Sequence, residues 1–256
     1  MADSRPPIPD PIQREVRQRC GFGCVICGNP IYQYDHMIEY AEVKEHTADN
    51  LTLLCYEHHG EKTKKLLPRQ IVIEANKEPY NLRTGSSKQQ LLHLNAETLE
   101  IKIGPTIFCS ELNYKCREVY PIIIEDKAFV IFTKEDNYTF LSLVILNEKN
   151  EPLLVIRKNV LEIFPITWDI EYVANHLTIR EGAGEIIFKM TLNPPNSVYI
   201  ERASFIYNGY KLIITPEGYS TEPPRGIIVI NGKVMCRIGV YVGKKSPGGC
   251  GVHIGM

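Results

Sequence analysis

Two cysteine-led half-sites frame the part of this chain that could do chemistry. Cys24 and Cys27 stand two residues apart in Cys-Val-Ile-Cys-Gly, and Cys55 and His58 repeat that gap about thirty positions later. Three thiols and an imidazole at this spacing are a ligand set for tetrahedral zinc, in the closed form that holds a small fold together. Between the half-sites lie Asp35–His36 and Asn50, and His59 follows His58 directly. Asp35 offers a hard oxygen ligand suited to Mg²⁺ or Mn²⁺. Successive side chains on a helix point about 100° apart, so His58 can face zinc while His59 faces a second, open metal site. An imidazole held in one tautomer is a general base for water, and the side-chain carbonyl of Asn50 could fix the tautomer of His36.

These groups need elements to position them. Gly28 closes the first knuckle, where a conformation barred to other residues is expected. If Asp35 and His36 lie on a strand they face opposite sides, so a twist or bulge must bring both toward one groove, or the backbone must leave strand geometry there. Arg14 and Arg17 are spaced to share a helix face ahead of the knuckle, and Leu67–Asn76 is expected as a short helix with Pro68 in its first turn. A region of about seventy residues with few large apolar side chains also needs a staple, which zinc supplies.

The order Asp-His, Asn, His, flanked by Cys-x-x-Cys and Cys-x-x-His, resembles the HNH endonucleases over about Ile8 to Thr63. The resemblance implies a ββα-metal module with structural zinc. It makes Asp35 and His59 ligands of a catalytic divalent metal (Mg²⁺ or Mn²⁺), His36 the general base and Asn50 the residue that orients it. It also implies phosphodiester hydrolysis with 5′-phosphate and 3′-hydroxyl products. Two departures stand out. The second zinc half-site ends in His58 where the family often has Cys, and the loop after His36 lacks the family's frequent Pro and Gly-Gly.

Composition narrows the partner. The net charge is −1 over 256 residues, and residues 1–70 hold nine Lys plus Arg against ten Asp plus Glu, which excludes a general polyanion binder. DNA attraction must be local, in Arg14, Arg17 and Arg19 and in Lys62, Lys64, Lys65 and Arg69; of these Arg14, Arg17, Lys62, Lys64 and Lys65 are the expected phosphate contacts. There is no leader pattern and no apolar run near twenty residues, so a soluble, cytoplasmic protein without a membrane partner is expected. Eight cysteines at these spacings favour metal over disulfides. Cys20 fits the zinc pattern less well, and Cys109, Cys116, Cys236 and Cys250 are expected as thiols.

The rest of the chain changes character. A polar break over 78–90 separates an α+β module, residues 1–77, from a mostly antiparallel all-β region, residues 91–256. A sandwich or roll is expected there, with a short β-solenoid as the alternative. Asn208–Gly209 and Asn231–Gly232 are expected hairpin turns, the latter between strands at 226–230 and 233–242. No catalytic spacing is visible among its histidines. The β region is therefore expected to serve recognition, regulation by a partner, or homo-oligomerisation. Cutting effectors in restriction or phage defence often carry such a module, and mobile-element nucleases are a competing setting. The non-enzyme alternative is a zinc-stapled nucleic-acid-binding or interaction module without hydrolysis.

Overall fold

The computed structural model describes residues 6–222, 228, 230–245 and 248–255. The chain is α+β and divides into two compact units: Met1–Gln89 with Ile163–Ala174, and Gln90–Glu162 with Asn175–Met256.

In the first unit, helix α1 (Asp10–Arg19) opens behind Pro9, with Asp10 in its first turn and Arg17 and Arg19 in its last, as the helix dipole favours. Strands β1 (Gln33–His36) and β2 (Leu51–Leu54) pair antiparallel, with Asp35 opposite Thr52 and His36 opposite Leu51. Their connection carries a short helix α2 (Tyr40–Val43) and a 3-10 turn at Ala48–Asn50. Helix α3 (Tyr56–Thr63) follows β2 at once. Helix α4 (Arg69–Lys77) starts after Pro68, and α5 (Tyr80–Thr84) ends at Gly85, whose φ of 81° suits only glycine well. All four residues of β2 are buried, so the hairpin is covered on both faces. Val16, Val25, Met37, Leu51, Leu53, Leu54 and Val72 form the core with Cys20. Cys20 lies 3.9 Å from the Thr52 hydroxyl and 3.6 Å from Asn76 Oδ1, apart from the zinc-type cluster.

The returning segment Ile163–Ala174 is fastened to α1 and to the end of the first stretch. Arg17 is 4% exposed and Asp169 is fully enclosed. Arg17 Nε donates to Asp169 Oδ1 and Nη2 to Oδ2, both at 2.8 Å, and Nη1 donates to the Tyr34 hydroxyl at 2.7 Å. Gln18 Nε2 donates to the Trp168 carbonyl at 2.7 Å, and the Arg14 guanidinium lies over the Trp168 ring at 4.6 Å. Ser87 N–H donates to the Ile163 carbonyl at 2.8 Å. A planar guanidinium matched to a carboxylate in this two-bond form is the geometry that lets an ion pair survive burial.

The second unit is built from two open sheets. One runs in the order Cys250–Ile254, Ile238–Val242, Glu118–Ile124, Lys127–Glu135, Tyr138–Leu146, Pro152–Arg157, Val160–Ile163, Gln90–Leu91. The other runs His176–Gly182, Glu185–Asn193, Ser197–Tyr207, Thr98–Ile103, Thr106–Glu111, Gly232–Met235, with Tyr210–Thr215 and Gly218–Glu222 branching from Ser197–Tyr207. Most neighbours are antiparallel, with parallel pairs such as Ser197–Tyr207 beside Thr98–Ile103. Alternating burial along Tyr138–Leu146 marks one face of its sheet as core. Phe129 from the first sheet meets Phe205 from the second at 5.3 Å between ring centroids, so the inner faces pack. Neither sheet closes into a barrel among the described residues.

Asn208 and Gly209 both take positive φ and turn Tyr207 onto Tyr210, as a two-residue hairpin requires. The strand Gly232–Met235 lies parallel to Thr106–Glu111. The expected strand at 226–230 lies outside the described residues except for 228 and 230. The expected strand at 233–242 is divided at Cys236–Arg237, and its halves join different sheets.

Candidate active site

The two half-sites meet. Sγ of Cys24, Cys27 and Cys55 and a ring nitrogen of His58 all lie within 4.8 Å of one another. His58 Nδ1 stands 3.4 Å from Cys24 Sγ and 3.2 Å from Cys55 Sγ, and the thiols of Cys27 and Cys55 are 3.8 Å apart. Zinc bond lengths of about 2.3 Å to sulfur and 2.0–2.1 Å to nitrogen require tetrahedral edges of roughly 3.8 Å and 3.5 Å, so the donor set fits the ion. The backbone holds the knuckle in place. Gly28 takes φ 74° and donates to the Cys24 carbonyl at 2.8 Å, while Val25 N–H donates to Leu53 of β2. A side chain at Gly28 would also collide with Tyr80 and Asn81 of α5. The Cys24 thiol donates to Cys27 and holds the Cys27 pKa well below the usual thiol range; that same bond, with burial, pushes Cys24 up. Burial pushes Cys55 up as well.

His59, one residue beyond His58, turns to a different place. Its Nε2 faces Asp35 Oδ1 at 3.6 Å. Both line a cavity of about 320 Å³ with His36, Tyr40, Lys62 and Lys65. A carboxylate oxygen and an imidazole nitrogen facing each other at this distance can share a hard divalent cation, so the residues fit that group too. The β1–β2 register runs unbroken through His36, the last strand residue. Of the expected ways to bring both residues to one groove, the structure shows departure from strand geometry: the chain leaves the strand at Met37, and Asp35 and His36 both reach the cavity.

The Asn50 side chain bonds the backbone that follows His36. Its Nδ2 donates to the Ile38 carbonyl at 2.9 Å and its Oδ1 accepts from Ile38 N–H at 2.7 Å, so it clamps the backbone two residues beyond His36. The His36 ring meets His46, with His36 Nε2 and His46 Nδ1 3.2 Å apart. Tyr40 packs edge-on against His36 and stacks on His46 with ring centroids 4.9 Å apart. Nothing in the local sequence around His46 marks a ring partner ten positions away.

The expected phosphate contacts separate into two groups. Arg17 is enclosed with Asp169 and so serves the packing of α1 and not a phosphate surface, while half-buried Arg14 lies on Trp168. Lys62 is also drawn inward. Its ammonium lies 2.8 Å from Asp35 Oδ2 and 3.6 Å from Glu39, and donates to the His36 carbonyl at 2.7 Å. Lys64 and Lys65 are exposed, and Lys65 borders the cavity. Among the described residues, no helix is long and apolar enough to cross a membrane.

No curated protein and no solved structure matches the chain. Residues 24–65, from the first zinc-type cysteine through β1, β2 and α3, match the family model of the HNH endonucleases.

Proposed function

We propose that this chain is a metal-dependent endonuclease that hydrolyses phosphodiester bonds in DNA. The observation that carries the reading is the facing pair Asp35–His59 in a cavity that His36 also lines. Asp35 and His59 would hold Mg²⁺ or Mn²⁺, and Cys24, Cys27, Cys55 and His58 would hold structural zinc. The divalent cation, when bound, offsets the charge that develops on the phosphate and the leaving oxygen. His36 takes the proton of the attacking water. Asn50 fixes the backbone beyond His36, and Lys62 ties the Asp35 carboxylate to the His36 carbonyl. Lys64 and Lys65 supply sequence-independent attraction to phosphate.

The second unit offers two large sheets for target choice, self-association or control by a partner. Service as a cutting effector in bacterial restriction or phage defence is an analogy with HNH modules, and it sets the biological test. The direct test is plasmid cleavage with Mg²⁺ or Mn²⁺, comparing wild type with His36→Ala. Metal-dependent cleavage that vanishes in the variant supports the reading. DNA binding without cleavage under either metal would leave a zinc-stapled binding module instead.

A further inference from the structure

We infer that His46 is a positioning residue that selects the tautomer of His36. The inference rests on the nuclease reading for its purpose but not for its chemistry. Hydrogen-bond bookkeeping along three groups gives the result. The Pro6 carbonyl can only accept, and His46 Nε2 lies 2.8 Å from it. That nitrogen must therefore carry a proton and donate it. A neutral imidazole has one N–H, so His46 Nδ1 is left as an acceptor. His36 Nε2 lies 3.2 Å from that acceptor and must donate in turn. A neutral His36 ring thereby carries its proton on Nε2.

The packing holds this chain of bonds in line. Tyr40 stacks on the His46 ring at 4.9 Å and an interplanar angle of 28°, and meets His36 at 5.4 Å and 69°. His36 is 4% exposed, so bulk water has little access to replace the bond. In free solution a neutral imidazole exchanges between two tautomers, and only the one with a bare Nδ1 can take a proton at that atom. A partner that accepts from Nε2 removes the unproductive form. It also stabilises the imidazolium that His36 becomes after it takes the proton, because the Nε2–H bond strengthens when its donor is charged.

The experiment compares wild type with His46→Phe, His46→Asn and His46→Ala. Phe keeps a ring for Tyr40 but offers no acceptor; Asn places a carbonyl oxygen close to the position of Nδ1. Two-dimensional ¹H–¹⁵N spectra of the imidazoles, recorded with zinc present and no Mg²⁺ or Mn²⁺, read the tautomer directly. His36 is expected as the Nε2–H form in wild type and His46→Asn, and as a mixture in His46→Phe. Cleavage is expected to lose roughly 10- to 100-fold in kcat with KM little changed in His46→Phe and His46→Ala, and to recover in large part in His46→Asn. A His36 tautomer that is the same in wild type and His46→Phe overturns the inference, whatever the cleavage rates. If wild type proves inactive on DNA, the nuclease reading fails and the spectra still decide the role of His46.

Discussion

The Lys62 ammonium lies 2.8 Å from Oδ2 of Asp35, the carboxylate proposed to hold the divalent cation. The lysine is largely enclosed, with its side chain 8% exposed, so its charge is poorly screened. A cation entering beside Asp35 must tolerate or displace it. Replacing Lys62 with Met keeps much of the stem and removes the charge. The variant is expected to bind Mn²⁺ about tenfold more tightly in a calorimetric titration, a change of roughly 1.4 kcal/mol. Unchanged or weaker binding would mean that Lys62 supports the cation site and does not compete with it.

Zinc binding should depend on pH with a defined sign. Cys24 and Cys55 are both held above the ordinary thiol range, and Cys27 below it. Zinc must expel the protons of the two raised thiols, so binding near neutral pH should release about two protons and affinity should fall on acidification. Competition with a chromophoric chelator across a pH series, together with the buffer dependence of the binding heat, measures both. Stripping zinc should also unfold the first unit, which circular dichroism would follow.

His36→Ala is expected to lower cleavage by about two to four orders of magnitude, the usual contribution of a general base. Zinc content and thermal midpoint should stay close to wild type. Cleavage at the wild-type rate would remove His36 from the mechanism.

The grouping of Cys24, Cys27, Cys55 and His58, and the separate direction of His59, were legible because their signal is local: two gaps of two residues, a glycine after the first, and adjacent histidines on a helix. The hairpin at Asn208–Gly209 was legible for the same reason, since two consecutive positive φ values constrain the residue types. Pairings between distant positions were not. Arg17 and Asp169 are 152 residues apart in sequence, and neither local pattern distinguishes a buried arginine from a phosphate-facing one. Lys62 looked like part of a basic cluster, yet its place in α3 turns it toward Asp35 while Lys64 and Lys65 stay outside. The division at Cys236–Arg237 was hidden because the residues on either side have equal strand propensity and only the sheets tell them apart.

The enclosed Arg17–Asp169 pair sets a stability prediction. Asp169→Ala leaves a guanidinium buried without its two-bond partner and is expected to destabilise the first unit by about 3–5 kcal/mol. Arg17→Met with Asp169→Leu, which removes both charges, should recover much of that loss. Urea unfolding followed through a first-unit probe gives both numbers. A loss under about 1 kcal/mol in the single variant would mean that solvent reaches Arg17 readily.

The position of Ile163–Ala174 bears on the order in which the molecule can be made. The segment belongs to the first unit, yet it is encoded after more than seventy residues of the second. Ribosomal synthesis is directional and slow compared with local folding, so the metal-ligating hairpin and α3 emerge long before Asp169 does. Through that interval Arg17 has no carboxylate to close on, and the first unit stays unfinished. A fragment that stops at Gln89 should resemble this nascent state, with less protection of α1 from hydrogen exchange than in the full chain. The first unit is thus completed only after residues 90–162 have left the ribosome, a built-in delay between encoding the Cys/His half-sites and finishing the unit that holds them.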